Sequence, residues 1–570
     1  SGSCGATDAD NVSWALTLNE DGSTYTLTIS GNGAMKDYTS QAGETVADPT
    51  GWYALKDSIT EIKIEEGVTG LGDWAFSYLT NVVKVNIPAS ITSLGDHIFR
   101  GDTALTTVEW ASDFNAPVIT DTDSKDSNYS GKYVPTSMFD GCTSLGSGEE
   151  LSTWLPASFT GVGCAAFRGT QFTVDFAVWN TLNYIGAYGF AGMPNLDSFT
   201  LSNKITLGLR GGASNAFNSS GLKSLTVADE IEAIPSGLCN GCEQLSSADF
   251  VTTIATNAFF NTKALEKIDL KNIQTINSYA FWGSGLTALV LPKSVKTVGS
   301  RAFEACTSLT KVTINAAELT LDNSNTFAGC SSLNTVVTSA DSKINGLNTG
   351  AFGPDSHGGY VQAPVESIEI NGTVNTLNFS TLASLKSLKI NGKNTWYGNI
   401  LPSGFENLVI NGDNWNISGY QFAGKTPIKH LVVSAAEVSD EVSDNAGKTE
   451  AAFRSNPNLE TAQFTGKTVK LQAKMFLGCT NLNWLDLSAV DTLTVGSGCF
   501  GDDNNEKYEV VPGEPNKFNE DCVIYAKDAA AAQTLRGSGS GLDKKGIVLI
   551  VNGGTVDVTA ATAGFGAVSW

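Results

Sequence analysis

Residues Ile276–Leu309 read INSYAFWGSGLTALVLPKSVKTVGSRAFEACTSL. Two Ala-Phe pairs, Ala280-Phe281 and Ala302-Phe303, stand 22 residues apart in it. Cys306 and Leu309 follow Phe303 at spacings of three, which puts the side chains on one side of a tight helical turn. The period then changes to two. Leu309, Val312 and Ile314 form L-x-x-V-x-I, as do Leu286, Leu289 and Leu291, and this predicts a short strand with its apolar side inward. A second apolar segment, Val295-x-x-Val298-Gly299, leads to the next Phe. Its glycine is expected to permit a sharp turn.

The same grammar runs through the chain. A small residue plus Phe recurs at Ala75-Phe76, Ala166-Phe167, Ala216-Phe217, Ala258-Phe259, Ala351-Phe352 and Ala452-Phe453. Looser copies end at Phe99, Phe139, Phe190, Phe327, Phe422, Phe476 and Phe500. With Cys239, Phe379 and Phe405 placed in the same slot there are 18 anchors at intervals of about 25. One such unit cannot bury its apolar residues alone. Stacked units can, with strands about 4.8 Å apart and apolar ladders merging into one core. The expected fold is therefore an α/β-type repeat solenoid of about 18 short strand-turn coils.

The stretch quoted above resembles the BspA-type leucine-rich repeat, and the resemblance covers roughly residues 58–521. It is specific in the central third and degenerate from 353 to 450. The segment Ser3-Cys4-Gly5, Val12-x-Trp14 and Leu27 to Met35 is similar to the amino-terminal β segment that often precedes these repeats. The resemblance implies a leucine-rich-repeat superhelix. It also implies a bacterial secreted or surface-displayed protein, like members that are adhesins for host matrix proteins or for other microbes. The implied partner is a host extracellular protein or glycan, or another surface protein. No signal peptide opens the chain at Ser1, so one is expected to have been removed.

Residues 1–57 lack the repeat. Asp21-Gly22 followed by Tyr25, Leu27 and Ile29 in alternation predicts a hairpin, expected as an N-terminal β cap over the first coil. Residues 58–521 form the repeat array. Residues 522–570 are expected as a C-terminal cap and tail, with strands at 522–525, 547–551 and 555–558 and a helix at 529–535. Insertions at 111–137, 145–160, 353–365, 437–450 and 502–520 are rich in Asp, Ser, Asn and Gly. They read first as tolerated surface loops and second as binding rims.

Composition limits function. Lys plus Arg is 35 and Asp plus Glu is 58, a formal charge of −23, which argues against nucleic-acid binding. A hydrophobic share of 41% argues against disorder. No apolar run approaches the ~18 residues of a membrane span. The three histidines, His97, His357 and His430, fall in distant coils, which argues against a Ser-His-Asp or Cys-His arrangement. Gly419 to Thr426 matches the nucleotide P-loop letter for letter. However, Phe422 sits in the repeat slot and Ile428-x-x-Leu431-x-Val433 reads as a strand, where a P-loop needs a helix. Cys239-x-x-Cys242 lacks the second pair of a zinc site, and the repeat accounts for both residues. The ten cysteines are expected to be mostly small buried side chains with free thiols, although Cys306 and Cys330 on adjacent coils come within disulfide reach. Asp121-x-Asp123-x-x-Asp126 and Asp502-Asp503 to Glu506 offer oxygen ligands, but neither run has a calcium loop's closing Glu.

Two other readings compete with recognition: a parallel β-helix carbohydrate hydrolase and a structural spacer. A hydrolase needs carboxylates close together. The outward strand positions run Lys267/Asp269, Ala288/Val290, Lys311/Thr313, Thr335/Val337, Ser367/Glu369, Ser387/Lys389, His430/Val432, Thr461/Gln463 and Trp484/Asp486. Carboxylates do not recur there on neighbouring coils. No residue is assigned a catalytic, cofactor or metal role, and no cofactor is expected. Trp484, His430 and Lys389 are the partner-binding candidates on this face.

Overall fold

The computed structural model describes residues 1–557 except 42–44, 47–50, 124–128, 322–323, 354–360, 393–399, 418–426, 441–452, 502–518, 520, 538, 543–546 and 553–554. It divides into two compact units. One comprises Ser1–Leu286 with Gly299–Cys306, and the other Thr287–Val298 with Thr307–Trp570.

The first unit opens with an antiparallel hairpin, Asn11–Leu18 against Tyr25–Ala34. The Asp21 carboxylate accepts the Ser23 and Thr24 N–H groups at 2.8 Å and so fixes its turn. The second hairpin strand pairs in parallel with Ile59–Ile64, bringing Ile29 beside Ile64. Parallel pairing then passes to Lys84–Ile87 and Thr107–Trp110. Farther along, Ser198–Leu201, Ser224–Val227 and Ser247–Ala248 form another parallel row.

The slot phenylalanines form a continuous ring stack inside. Phe76, Phe99, Phe139, Phe167, Phe190 and Phe217 follow one another with centroids 5.5 to 6.5 Å apart and planes within 22°. All six are fully buried. Cys239 interrupts the stack, and Phe250 packs edge-on against Phe259 at 5.3 Å. The stack then resumes through Phe281 and Phe303 at 5.3 Å.

In the second unit a parallel ladder runs through Ala288–Leu291, Lys311–Ile314, Thr335–Thr338, Ser367–Ile370, Ser387–Asn391, Asn407–Ile417, His430–Asp440, Thr461–Phe464, Trp484–Leu487, Val523–Ala526 and Ile547–Asn552. The short helix Ala529–Leu535, with Asp528 accepting the Ala531 N–H at 2.8 Å, lies where the sequence put it. Strand Thr555–Asp557 closes the ladder antiparallel.

Several sequence expectations need correction. Phe405 does not occupy the Phe slot. At most other slots the N–H donates to the carbonyl just before the next slot, as Phe476 does to Cys499. Phe379 donates to Ile400, so Leu401 holds the slot. Phe405 instead begins the L-x-x-V-x-I strand motif with Leu408 and Ile410. The V-G glycine is not a turn device either. A Cβ on Gly299 would lie 2.4 Å from the Ser278 nitrogen, and one on Gly95 2.5 Å from the Asp73 nitrogen. The neighbouring coil's backbone passes too close for any side chain. Residues 267–270 form no strand. Two insertions are packed inward rather than solvated, since Phe114 from 111–137 and Leu151 and Phe159 from 145–160 are buried.

All ten cysteines are free and buried. The repeat cysteine uses its thiol: Cys142, Cys242, Cys306 and Cys479 donate to the carbonyls of Phe99, Phe217, Phe281 and Phe453 on the preceding coil, at 3.0 to 3.2 Å. Other coils place Thr170, Ser220, Thr262 or Ser284 at the same position. We therefore expect Cys306→Ala to cost about 1–2 kcal/mol in urea unfolding, because a buried donor is lost. Cys306→Ser keeps the donor and is expected to cost less than half as much.

Candidate functional site

At most slots the residue two places before has a left-handed backbone although it is rarely glycine. Trp74, His97, Ser137, Ala165, Tyr188 and Asn215 have φ between 49° and 61°. The strain is held by a ladder between coils. The N–H of His97 donates to Thr136, that of Ser137 to Cys164, that of Ala165 to Ala187 and that of Tyr188 to Ser214, at 2.8 to 3.2 Å. These side chains therefore stand in one row on the turn side of the first unit.

Size along that row decides the surface. Two small residues, Ser137 and Ala165, lie between His97 and Tyr188. They leave a cavity of about 610 Å³ that is lined by all four. At about 4.8 Å per coil, His97 and Tyr188 stand roughly 14 Å apart. The His97 ring is backed by Trp74, stacked at 4.0 Å and 6°. Tyr188 packs on the small cluster of Cys164, Ala165 and Ala187.

Three arginines line the same cavity: Arg100, Arg168 and Arg210. Arg100 and Arg168 come from the position just after the slot, and the buried Asp140 holds both. Arg168 makes a two-pronged pair with it, Nε–Oδ1 2.7 Å and Nη2–Oδ2 2.6 Å. Arg100 Nε is 3.2 Å from Oδ2 and its guanidinium lies 5.3 Å from the Trp74 ring centroid. Such fixed forks suit planar oxyanions. Arg210 follows the strand Thr206–Leu207 and has no ion-pair partner among the described residues. Asp123 is the one carboxylate among the lining residues.

His97 on the cavity and Asp96 behind it have displaced protonation. Burial, then the Arg100 cation, pushes His97 down to about 4, so the ring is neutral at ordinary pH. Its Nδ1 has no hydrogen-bond partner among the described residues. Behind it Asp37, Asp73 and Asp96 form a carboxylate ladder. The N–H groups of Asp73, Asp96 and Thr136 donate to the carboxylates of Asp37, Asp73 and Asp96 in turn, at 2.9, 2.7 and 3.2 Å. Burial, then Asp73, raises Asp96 to about 7. Carboxylates thus recur between coils on the turn side, where they accept amides, and not on the strand face.

The surface-loop reading of 111–137 does not hold at Asp121. Its carboxylate is buried and accepts the Cys164 N–H at 3.0 Å, Thr136 Oγ1 at 3.2 Å and the Tyr184 hydroxyl at 2.8 Å. Asp126 and the run Asp502–Glu506 lie outside the described residues, as do His357 and Gly419–Thr426 of the P-loop match. The strand His430–Asp440 follows that match where a P-loop needs a helix. Among the described residues no group of three His, Cys, Asp or Glu side chains is placed to hold a metal, and no helix is long and apolar enough to cross a membrane.

The strand-face residues lie in the second unit. The outward row runs Ser367, Ser387, Asn407, His430, Thr461, Trp484, in the register expected apart from the added Asn407 coil. His430 and Trp484 are thus two strands apart with Thr461 between them. His430 Nδ1 is hydrogen-bonded to Thr461 Oγ1 at 2.9 Å. Trp484 is half-buried beside Tyr525, ring centroids 6.2 Å apart. Lys389 lies in the adjoining row, paired with Glu369 at 3.0 Å. An asparagine ladder edges this sheet: Asn411 donates to Asn391 at 2.7 Å, and Asn391 donates to Asn371. It follows from Ile-Asn-Gly at 370, 390 and 410, a 20-residue period within the stretch where the repeat reads as degenerate.

The chain belongs to the BspA type leucine rich repeat region family, whose model matches it in six copies over residues 51–146, 160–284, 252–356 and 448–523. No curated protein matches. Solved structures similar to it include a leucine-rich repeat protein from Bacteroides ovatus, 16% identical over 74% of this chain and 93% of that one, with a TM-score of 0.40. A leucine rich cell surface protein from Faecalibacterium prausnitzii is 15% identical over 84% and 93%, with a TM-score of 0.17. The pneumococcal vaccine antigen PcpA is 14% identical over 96% and 98%, with a TM-score of 0.19.

Proposed function

We infer that this is a non-enzymatic recognition module of a bacterial secreted or surface protein, which holds a host protein or glycan by side chains fixed on its coils. Membership of the repeat family supports that reading, and the turn-side cavity carries it. Arg100 and Arg168 are anchored by Asp140, and the His97 ring is backed by Trp74 of the neighbouring coil, so little order has to be gained there on binding. The strand row with His430, Trp484 and Lys389 is a second contact surface.

An array of matrix proteins, mucins and glycans probed with the full chain tests this. Saturable binding to at least one member is expected. Binding to none would leave a spacer, and release of sugars from a polysaccharide panel would make the chain a hydrolase. If the bound member uses the strand face, Trp484→Ala is expected to weaken it about tenfold or more, since a half-buried indole is the largest contact there.

A further inference from the structure

Arg100, Arg168 and Arg210 line the turn-side cavity with Asp123, and Asp140 lies beneath it. Two further carboxylates behind the row are engaged by amides, Asp121 by the Cys164 N–H and Asp96 by the Thr136 N–H. Because Asp140 already occupies the forks of Arg100 and Arg168, the uncommitted guanidinium is that of Arg210. A single free guanidinium matches a monoanion, and a carboxylate takes its fork in plane. A dianionic phosphate is disfavoured by Asp123 on the same lining. The Asp123 carboxylate is matched by a ligand that also carries hydroxyl or amide hydrogens. The His97 and Tyr188 rings add flat apolar walls, which suit the C–H face of a sugar ring. Ser137 and Ala165 give a floor on which nothing protrudes. About 610 Å³ is the scale of a small-molecule site, and it accommodates one or two sugar rings.

We propose that this cavity binds a carboxylated sugar, a uronic- or sialic-acid-type residue of a glycan, with its carboxylate on Arg210, its hydroxyls toward Asp123 and its ring against the His97 or the Tyr188 wall. The proposal rests on the recognition reading above and deepens it by naming the ligand class and the place.

The repeat supplies its own blocking variant. Trp74, His97, Tyr188 and Tyr279 occupy the same left-handed row position as Ala165. Ala165→Tyr therefore fills the cavity with a side chain that this backbone already accepts, and an unchanged melting midpoint checks that. The full chain is titrated by calorimetry with N-acetylneuraminic, glucuronic and galacturonic acids, with their methyl esters, with glucose and galactose, with inorganic phosphate and with a short peptide ending in a free carboxylate. The three acids separate sialic from uronic sources. At least one acid is expected to bind saturably, at least tenfold more tightly than its methyl ester. Arg210→Ala and Ala165→Tyr are each expected to weaken it tenfold or more. Equal binding of acid and ester, preference for phosphate or the peptide, no binding of any acid, or binding untouched by Ala165→Tyr would overturn the proposal. An array hit that survives Ala165→Tyr would leave the recognition reading standing while removing this site from it. An array with no hit defeats the recognition reading by itself.

Discussion

Phe281→Ala is expected to lower the stability of the first unit by about 3–5 kcal/mol, the range for truncating a fully buried Phe whose site cannot collapse. The ring is sandwiched between Phe259 and Phe303 at 5.3 Å on both sides, nearly parallel, and Phe250 lies against it at 5.8 Å. Backbone hydrogen bonds between coils hold the neighbouring rings at their spacing, so they cannot close the gap. Phe281 N–H donates to Ala302 at 2.8 Å, and its carbonyl accepts the Cys306 thiol. Phe281→Leu refills most of the volume and is expected to cost less than half as much. Chemical unfolding of the full chain, followed by tryptophan fluorescence and amide exchange, measures the loss. A cost below about 1 kcal/mol for the alanine would mean that the ring stack is not what holds the coils together.

A second large effect comes from a carboxylate at the repeat-cysteine position. Asp102 stands where other coils have Cys, Ser or Thr, and it is fully buried. Its Oδ1 accepts the Leu79 N–H at 2.8 Å, while Oδ2 has no partner among the described residues. Burial raises its pKa well above the ordinary carboxylate value, so the folded chain retains a proton that the unfolded chain releases near 4. A raised acid favours folding fully below the unfolded pKa and loses that contribution as pH rises toward the folded one. Asp96, raised to about 7, acts in the same direction between about pH 4 and 7, for roughly 3–4 kcal/mol by linkage. His97 works oppositely. Its folded value of about 4 lies below the unfolded 6.5, so its contribution is lost as pH falls through that interval. Asp102→Asn keeps the acceptor for Leu79, supplies a neutral donor and removes the titration. The variant is expected to match the parent near pH 4 and to exceed it in melting midpoint by several degrees at pH 8, with the gap widening steadily between. A constant difference across pH would show that Asp102 is not held protonated.

Much of the fold is legible in the sequence because one period dominates it. The slot positions, the inward strand residues and the outward row from Ala288 to Trp484 all follow from alternation alone, and the observed register differs from them only by one skipped coil. Phe405 misleads because Phe fits the Leu position of the strand motif as well as it fits the slot. Only the hydrogen bond from Phe379 to Ile400 separates the two registers. Gly299 misleads because close backbone approach and turn formation select the same residue. The insertion holding Phe114 is polar overall, and composition hides its buried aromatic. The cavity has a partial signature: reading two places before each slot gives Trp74, His97, Ser137, Ala165, Tyr188, and the large-small-small-large order is visible once one knows that the row is contiguous. Arg210 has none, since its place beside that row depends on how the loop after Thr206–Leu207 folds back.

Stacking in one register is the premise under the ring ladder and the cavity alike. Thr200 and Thr226, on consecutive coils of the first unit, place their hydroxyls 2.6 Å apart, and both side chains face outward. The paired variant Thr200→Cys with Thr226→Cys is predicted to oxidise to an intramolecular disulfide, detected in a single cross-linked peptide pair, since parallel partners lie within disulfide reach. The control Thr200→Cys with Ser224→Cys, two residues out of register, is predicted to remain reduced under the same oxidant. A cross-link in the control and none in the first pair would contradict the coil register from which everything above is built.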